Sequence, residues 1–73
     1  MRIDLFLKKS GLIKRRRIAH DLCLSGAIKL NNLIVKPSKP VKDGDRITIS
    51  MAERVIEVNI VDCEEGKFRS IEI

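Results

Sequence analysis

The residues of this sequence best suited to binding chemistry are four consecutive cations. They are Lys14, Arg15, Arg16 and Arg17. Ammonium and guanidinium groups donate several hydrogen bonds each and attract phosphate oxygens. The run lies where a short helix is predicted to begin, although positive charge is disfavoured at a helix N-terminus. A phosphate backbone resolves this conflict, because exposed N–H groups, the helix dipole and cationic side chains all attract an anion. The run therefore predicts binding to nucleic acid.

The distribution of charge along the chain points to the same partner. Eleven of the fifteen basic residues lie in the first 42 positions, where the acids are Asp4 and Asp21, so this stretch carries +9. The remaining 31 residues carry −4. A concentrated basic surface is typical of proteins that bind phosphate backbones. The predicted contacts are Arg2, Lys8, Lys9, Lys14, Arg15, Arg16, Arg17, Lys29 and Lys36.

Other kinds of chemistry have little support. Phe6 and Phe68 are the only aromatic residues, so stacking of single-stranded bases is not the expected mode. His20 and Cys23 lie one turn apart, but with Cys63 they supply fewer than the four ligands of a structural zinc site. No phosphate-binding glycine motif or catalytic order of residues is present. We therefore expect neither enzyme activity, nor a cofactor, metal or small-molecule substrate.

Length and composition set further expectations. Seventy-three residues with 44% hydrophobic content predict a single globular domain over residues 1–73. No apolar segment approaches the roughly 20 residues that span a bilayer, and no signal peptide is recognisable at the start. A cytoplasmic monomer without membrane contact is therefore expected. Two cysteines 40 positions apart are interpreted as buried free thiols rather than a disulfide.

Two short helices must position the cations. Residues 2–9 carry apolar side chains at the i, i+3 and i+4 spacing of an amphipathic helix. These side chains are Ile3, Phe6 and Leu7. A second helix is predicted over residues 14–25, ended by a left-handed Gly26. Its predicted buried face consists of Ile18, Ala19, Leu22 and Cys23.

A small sheet must support the two helices. A hairpin is predicted to pair residues 28–30 with 33–36 around an Asn31-Asn32 turn. On this register Lys29 and Lys36 share one face. The opposite face consists of Ile28, Leu30, Leu33 and Val35. Further strands are predicted over residues 46–51, 54–61 and 68–73, in an acidic half of the sheet that faces away from the cations. The predicted fold class is α+β, with two N-terminal helices packed on a small, mostly antiparallel sheet.

Several short motifs, taken in order, resemble the S4 RNA-binding domain. They are Arg2-Ile3-Asp4-x-Phe6-Leu7, Ser25-Gly26, Ile28-Lys29-Leu30-Asn31, Lys36-Pro37 and Gly44-Asp45. The resemblance covers about residues 1–50, with residues 51–73 as extra strands. The first motif and residues 12–16 are most similar to the stand-alone bacterial branch of the family. That branch includes heat-shock protein fifteen and a small RNA-binding factor of ribosome-associated quality control.

The resemblance implies both a fold and a function. The fold is S4-like, with the helices and sheet of the alpha-L motif. Relatives in this branch bind the large ribosomal subunit while it carries peptidyl-tRNA, so the implied partners are ribosomal RNA of the large subunit and tRNA. The implied role is rescue or quality control of stalled translation. Asp4 is expected to orient Arg2 or an arginine of the second helix, and the implied RNA contacts are Arg2, Lys8, Lys14, Arg15 and Arg16.

Two alternatives remain open at this point. The domain could be a free-standing module that positions RNA for a tRNA- or rRNA-modifying enzyme on another chain. It could instead be a protein-interaction module that uses an acidic face of the sheet, with the basic half supplying solubility.

Overall fold

The α+β class and the antiparallel sheet are confirmed. A computed structural model of the chain describes residues 1–72, without the side chain of residue 72, so the predicted last strand residue Ile73 lies outside the described residues. The elements are α1 (Ile3–Lys9), α2 (Arg16–Leu24), β1 (Ile28–Leu30), β2 (Leu33–Ile34), β3 (Arg46–Ser50), β4 (Val55–Asp62) and β5 (Lys67–Glu72). The strands form one sheet in the order β2-β1-β3-β4-β5, and every neighbouring pair is antiparallel.

Helix α1 follows the predicted amphipathic pattern. Its fully buried apolar side chains are Ile3, Phe6 and Leu7. Arg2 is the N-cap residue in extended conformation, and Lys8 and Lys9 occupy the last turn. Positive charge is favourable at that end, because the unpaired carbonyl groups of a helix terminus carry partial negative charge. Lys8 and Lys9 therefore also have a structural reason for their positions.

Helix α2 begins two residues later than predicted, so that Lys14 and Arg15 precede it. Arg15 is the N-cap residue, with extended backbone angles of φ −124° and ψ 132°, and its side chain caps no N–H group. Ala19 and Cys23 are buried, whereas Ile18 is 47% exposed. The prediction that Ile18 is buried was wrong. The face of α2 that packs in the core centres on Ala19 and Cys23, and Ile18 lies to one side of it.

The first hairpin has the predicted register and turn. Lys29 pairs with Ile34, and Leu30 with Leu33. Asn31 and Asn32 have φ values of 50° and 70°, and positive φ at both positions is what a type I′ turn requires. The turn is held from outside as well, because the Asn31 side-chain oxygen accepts the N–H of Arg46 at 3.0 Å.

The second strand of this hairpin is exposed and shorter than predicted. It ends at Ile34 rather than at residue 36, and Leu33 is 68% exposed. Exposure of Leu33 does not alter the predicted register. The register places Leu33 on the same side as Leu30, as predicted, but β2 is an edge strand with a neighbour on one side only.

The core lies between the helices and one face of the sheet. Its strand residues are Ile28, Leu30, Ile47, Ile49, Val58 and Ile60. Lys29 and Thr48 are paired neighbours that alternate with these residues, so both lie on the open face. Lys29 is consequently on the opposite side of the sheet from α1 and α2.

The acids of the second half lie mainly in turns at one end of the sheet. Asp43 accepts the N–H of Cys63 at 2.9 Å, and Asp45 accepts that of Lys42 at 3.0 Å. An Asp62 oxygen accepts the N–H groups of residues 64 and 65 at 3.1 and 3.2 Å. The open face itself is mixed, with Arg46 and Glu57 paired at 2.9 Å. The prediction of an acidic sheet face is therefore wrong. The carboxylates of Asp43, Asp45 and Asp62 accept backbone N–H groups of turns instead of lining a face of the sheet.

The acidic end also touches helix α1 instead of facing away from it. Gly66, in the turn between β4 and β5, has a φ of +71° and is buried. A Cβ atom at this position would lie 3.0 Å from the carbonyl oxygen of Lys9. Glycine is thus required both by the backbone angle and by the close approach of the turn to α1.

Candidate nucleic-acid interface

One buried carboxylate joins the first residues of the two helices. Asp4 is 1% exposed. Its Oδ2 accepts a hydrogen bond from Nη2 of Arg2 at 3.1 Å and lies 3.4 Å from Nε of Arg16. Its Oδ1 accepts the N–H of Leu5 at 2.7 Å. Since Arg2 precedes α1 and Arg16 opens α2, Asp4 fixes a guanidinium group from each helix. The expectation that Asp4 orients these arginines is confirmed.

The two anchored arginines remain open to a ligand. The side chains of Arg2 and Arg16 are 47% and 44% exposed. Each guanidinium group has five N–H donors in a rigid plane, and each contacts Asp4 through one nitrogen. The contact with Asp4 restricts the orientation of the other donors, and guanidinium groups in general can bind phosphate oxygens in a two-pronged manner.

A third segment joins this site through backbone hydrogen bonds that sequence reasoning missed. The N–H of Ile3 donates to the carbonyl of Lys39 at 2.8 Å, and the N–H of Asp4 donates to that of Pro37 at 3.3 Å. Arg2 forms an antiparallel bridge with Pro40. These contacts place the exposed Lys39 beside Arg2. Lys39 was visible in the sequence as one of the eleven early cations, but nothing local indicated that its loop would pair with the N-terminus.

We call this convergence of helix starts and loop the N-terminal junction. Its members are Arg2, Asp4, Lys14, Arg15, Arg16, Arg17 and the loop residues 36–40. The side chains of Lys14, Arg15 and Arg17 are exposed around the start of α2. Lys36 is exposed at the beginning of the loop. Six of the nine predicted RNA-binding residues thus lie in the junction.

The other three predicted RNA-binding residues lie elsewhere. Lys8 and Lys9 are exposed at the far end of α1, next to the turn that carries Glu64 and Glu65. Lys29 is exposed on the open face of the sheet. These lysines are therefore separated from the cations of the helix starts.

The cysteines are free thiols without a reactive environment. Cys23 is buried as expected, whereas Cys63 is half-buried. Burial, and then the neighbouring Asp4 carboxylate, raise the pKa of the Cys23 thiol from 9.0 to about 11. The thiol therefore stays protonated, and a protonated thiol is neither a nucleophile nor a metal ligand. Within residues 1–72 no group of three His, Cys, Asp or Glu side chains is placed to hold a metal ion.

The helices of the described part of the chain are too short or too polar to cross a bilayer.

Comparison with known proteins identifies the family. The S4 domain family model matches residues 1–47, which include both helices and the first hairpin. The chain belongs to the S4 domain family. The resemblance deduced from the sequence motifs is thereby confirmed, and the junction lies wholly within the matched region.

Curated relatives of this family cover most of the chain. A protein of Helicobacter pylori strain J99 named RQC P-site tRNA stabilizing factor is 48% identical over 61 residues, which are 84% of this chain and 73% of that protein. The protein of the same name from Bacillus subtilis is 37% identical over 65 residues, covering 89% of this chain and 76% of its own length.

Solved structures share the fold. The trimeric structure of Vibrio cholerae heat shock protein 15 superposes with a TM-score of 0.86 at 22% identity, covering 97% of this chain and 81% of that one. The solution structure of a protein described as hypothetical gives a TM-score of 0.73 at 34% identity, covering 100% of this chain and 96% of that one. The similarity extends beyond residue 50, so the later strands belong to the shared architecture.

Proposed function

We propose that this protein binds tRNA and ribosomal RNA of the large subunit, and that it acts in ribosome-associated quality control. The observation that carries the proposal is the N-terminal junction, where buried Asp4 holds Arg2 and Arg16 in place beside Lys39. The name of the curated relatives, RQC P-site tRNA stabilizing factor, supports the same role. In this proposal the chain is a cytoplasmic, monomeric, non-enzymatic binder in which residues 1–73 form one domain.

The mechanism is electrostatic positioning. Cations of the junction neutralise phosphates of a folded RNA and release condensed counterions. Arg2 and Arg16 select the spacing of phosphates, because Asp4 fixes the distance and orientation between them. Lys14, Arg15 and Arg17 add attraction with fewer geometric constraints. Shape is therefore recognised more strongly than sequence, and a tRNA held this way is stabilised in one position on its ribosomal partner.

Cosedimentation with ribosomal particles tests the proposal. The variant Lys14→Glu/Arg15→Glu reverses two exposed cations of the junction and leaves the hydrogen bonds of Asp4 in place. The variant Lys67→Glu/Arg69→Glu makes the same change in charge on β5, outside the junction. Both variants should fold, because all four side chains are exposed. Wild type and the β5 variant are expected to sediment with large subunits that carry peptidyl-tRNA, and the junction variant is expected to stay in the supernatant.

The salt dependence of binding and the comparison of the two variants decide the outcome. Each cation that no longer neutralises a phosphate should reduce the slope of log affinity against log salt by roughly 0.7–0.9. Equal weakening of binding in the two variants would show that net charge alone matters and would contradict a defined site. Binding of the wild type to free tRNA, without enrichment on large subunits, would favour a module that positions RNA for a modifying enzyme.

A further inference from the structure

A groove runs along the free edge of β2 and the loop that follows it. Its volume of about 580 Å³ lies within the roughly 300–1,000 Å³ of small-ligand sites. Leu33, which lines it on the side of the strand shared with Leu30, is 68% exposed. Exposed aliphatic side chains on an edge strand promote unwanted strand pairing. The exposure of Leu33 on this edge strand therefore points to a ligand that covers it. We call this feature the β2 groove.

The chemistry of the groove favours a ligand that is partly anionic and partly apolar. Lys36 and Lys39 line it and are exposed. Val35 and Pro40 extend its apolar wall. Among the described residues that line the groove none is acidic. A nucleotide fits this combination, because its phosphate is anionic while its base has two apolar faces.

The β2 groove is continuous with the N-terminal junction. Lys39 and Pro40 belong to both, since the Lys39 carbonyl accepts the N–H of Ile3 and Pro40 forms a bridge with Arg2. The groove therefore lies directly beside the junction.

We propose that the β2 groove holds one unpaired nucleotide of the bound RNA. Its phosphate lies between Lys36 and Lys39, and its base packs against Leu33 and Val35. This inference rests on the proposed RNA binding at the junction. Bases inside a duplex are stacked on each other, so only a bulged or looped nucleotide presents a face to an aliphatic surface. Because aliphatic contact does not distinguish bases, the groove selects where the strand is unpaired rather than which base is present.

Two RNAs with the same stem provide the test. One is fully paired and the other carries a bulge of a few nucleotides, with 2-aminopurine as the bulged base. Wild type is expected to bind the bulged RNA more tightly, with a change in 2-aminopurine fluorescence. Leu33→Ser is expected to lower the affinity for the bulged RNA about five- to tenfold. Its salt slope should stay that of the wild type, since no charge is altered. Lys39→Glu should lower affinity and also reduce the slope by roughly 0.7–0.9.

A matched control separates the groove from general apolar exposure. Ile71 is 48% exposed on β5, the other edge strand, so Ile71→Ser makes a comparable change away from the groove. This variant is expected to retain the preference for the bulged RNA. Equal wild-type affinity for the two RNAs, or a preference that survives Leu33→Ser, would overturn the groove proposal while leaving RNA binding at the junction intact. Failure of the wild type to bind either RNA would instead refute the proposed function.

Discussion

Replacing Asp4 by asparagine distinguishes two explanations of RNA binding, because they predict changes in RNA affinity of opposite sign. If net charge alone governs RNA binding, removal of an acid beside a cationic surface strengthens binding. If Asp4 acts by holding Arg2 and Arg16, the same change weakens it. Asparagine has nearly the shape of aspartate. It also keeps an oxygen that can accept the hydrogen bond from the N–H of Leu5, which Asp4 Oδ1 accepts at 2.7 Å in the wild type. The change therefore removes the charge with little disturbance of packing.

The magnitude can be worked from the geometry around Asp4. Hydrogen bonds to charged groups contribute about 1.5–3 kcal/mol each, but both arginines are nearly half exposed, so we expect a stability loss of about 1–2 kcal/mol. Ordering a free side chain on binding costs roughly 0.5–1.5 kcal/mol, or about 1–3 kcal/mol for two arginines. The repulsion relieved between Asp4 and a phosphate some 7 Å away is only about 0.6 kcal/mol in water. The net expectation is roughly tenfold weaker RNA binding.

Fluorescence anisotropy with a labelled structured RNA measures this effect, and urea denaturation of the same samples measures stability. Asp21→Asn is the matched control, because it makes the same change in charge on α2 at a carboxylate that is 69% exposed and lies 3.6 Å from His20. This control is expected to bind RNA as tightly as the wild type or slightly more tightly. Tighter binding by folded Asp4→Asn protein would refute the positioning role of Asp4.

Two further predictions concern the acidic end of the sheet. Gly66→Ala should destabilise the fold by about 1–3 kcal/mol, because the left-handed φ of +71° is combined with an approach of 3.0 Å to the Lys9 carbonyl. Gly44 has a φ of +90° and open space around it, so Gly44→Ala should lose only the stability associated with the backbone angle. The difference between the two variants in the free energy of unfolding, measured by urea denaturation, then gives the cost of the close contact with α1. Asp43→Asn should destabilise at pH 7, because the hydrogen bond from the Cys63 N–H lowers the pKa of Asp43 from 3.8. A carboxyl group whose pKa is lower in the folded than in the unfolded protein stabilises the fold at pH values above its unfolded-state pKa. The difference in stability between wild type and Asp43→Asn should therefore vanish as the pH falls below 3.8 and passes through the lowered pKa of the folded state.

Local spacing made much of this fold predictable. The i, i+3, i+4 pattern of α1 identified its buried face, and Asn31-Asn32 between two apolar runs identified the register of the first hairpin. Both features depend on residues close in the chain. Burial at the margins was less predictable, as Ile18 and Leu33 show. Each lies on or beside an apolar face, but whether that face is covered depends on where a neighbouring element ends.

The sequence identified the cationic residues of the candidate site but not which segments of the chain come together there. The charge count identified the cations of the first 42 residues, and six of the nine predicted RNA-binding residues lie at the junction. The pairing of residues 1–4 with residues 37–41 joins segments more than 30 positions apart through backbone groups. Backbone groups carry no sequence signal, so the position of Lys39 beside Arg2 could not be inferred. The contact between Gly66 and Lys9 could not be inferred either, because it too is made to a backbone group.

The placement of charges on this domain predicts where a bound RNA would lie. At the start of both helices, the junction presents cations around a buried carboxylate, so its exposed surface attracts phosphate. At the far end of α1, the turn carrying Glu64 and Glu65 packs against Lys9 through Gly66, and carboxylates there repel phosphate. Asp43 and Asp62 add two further carboxylates at this end, and backbone N–H groups hold both of them in place. An RNA helix is therefore expected to cross the start of α1 and α2 rather than follow α1 to its end, which makes Lys8 and Lys9 weaker contacts than Arg2 and Arg16.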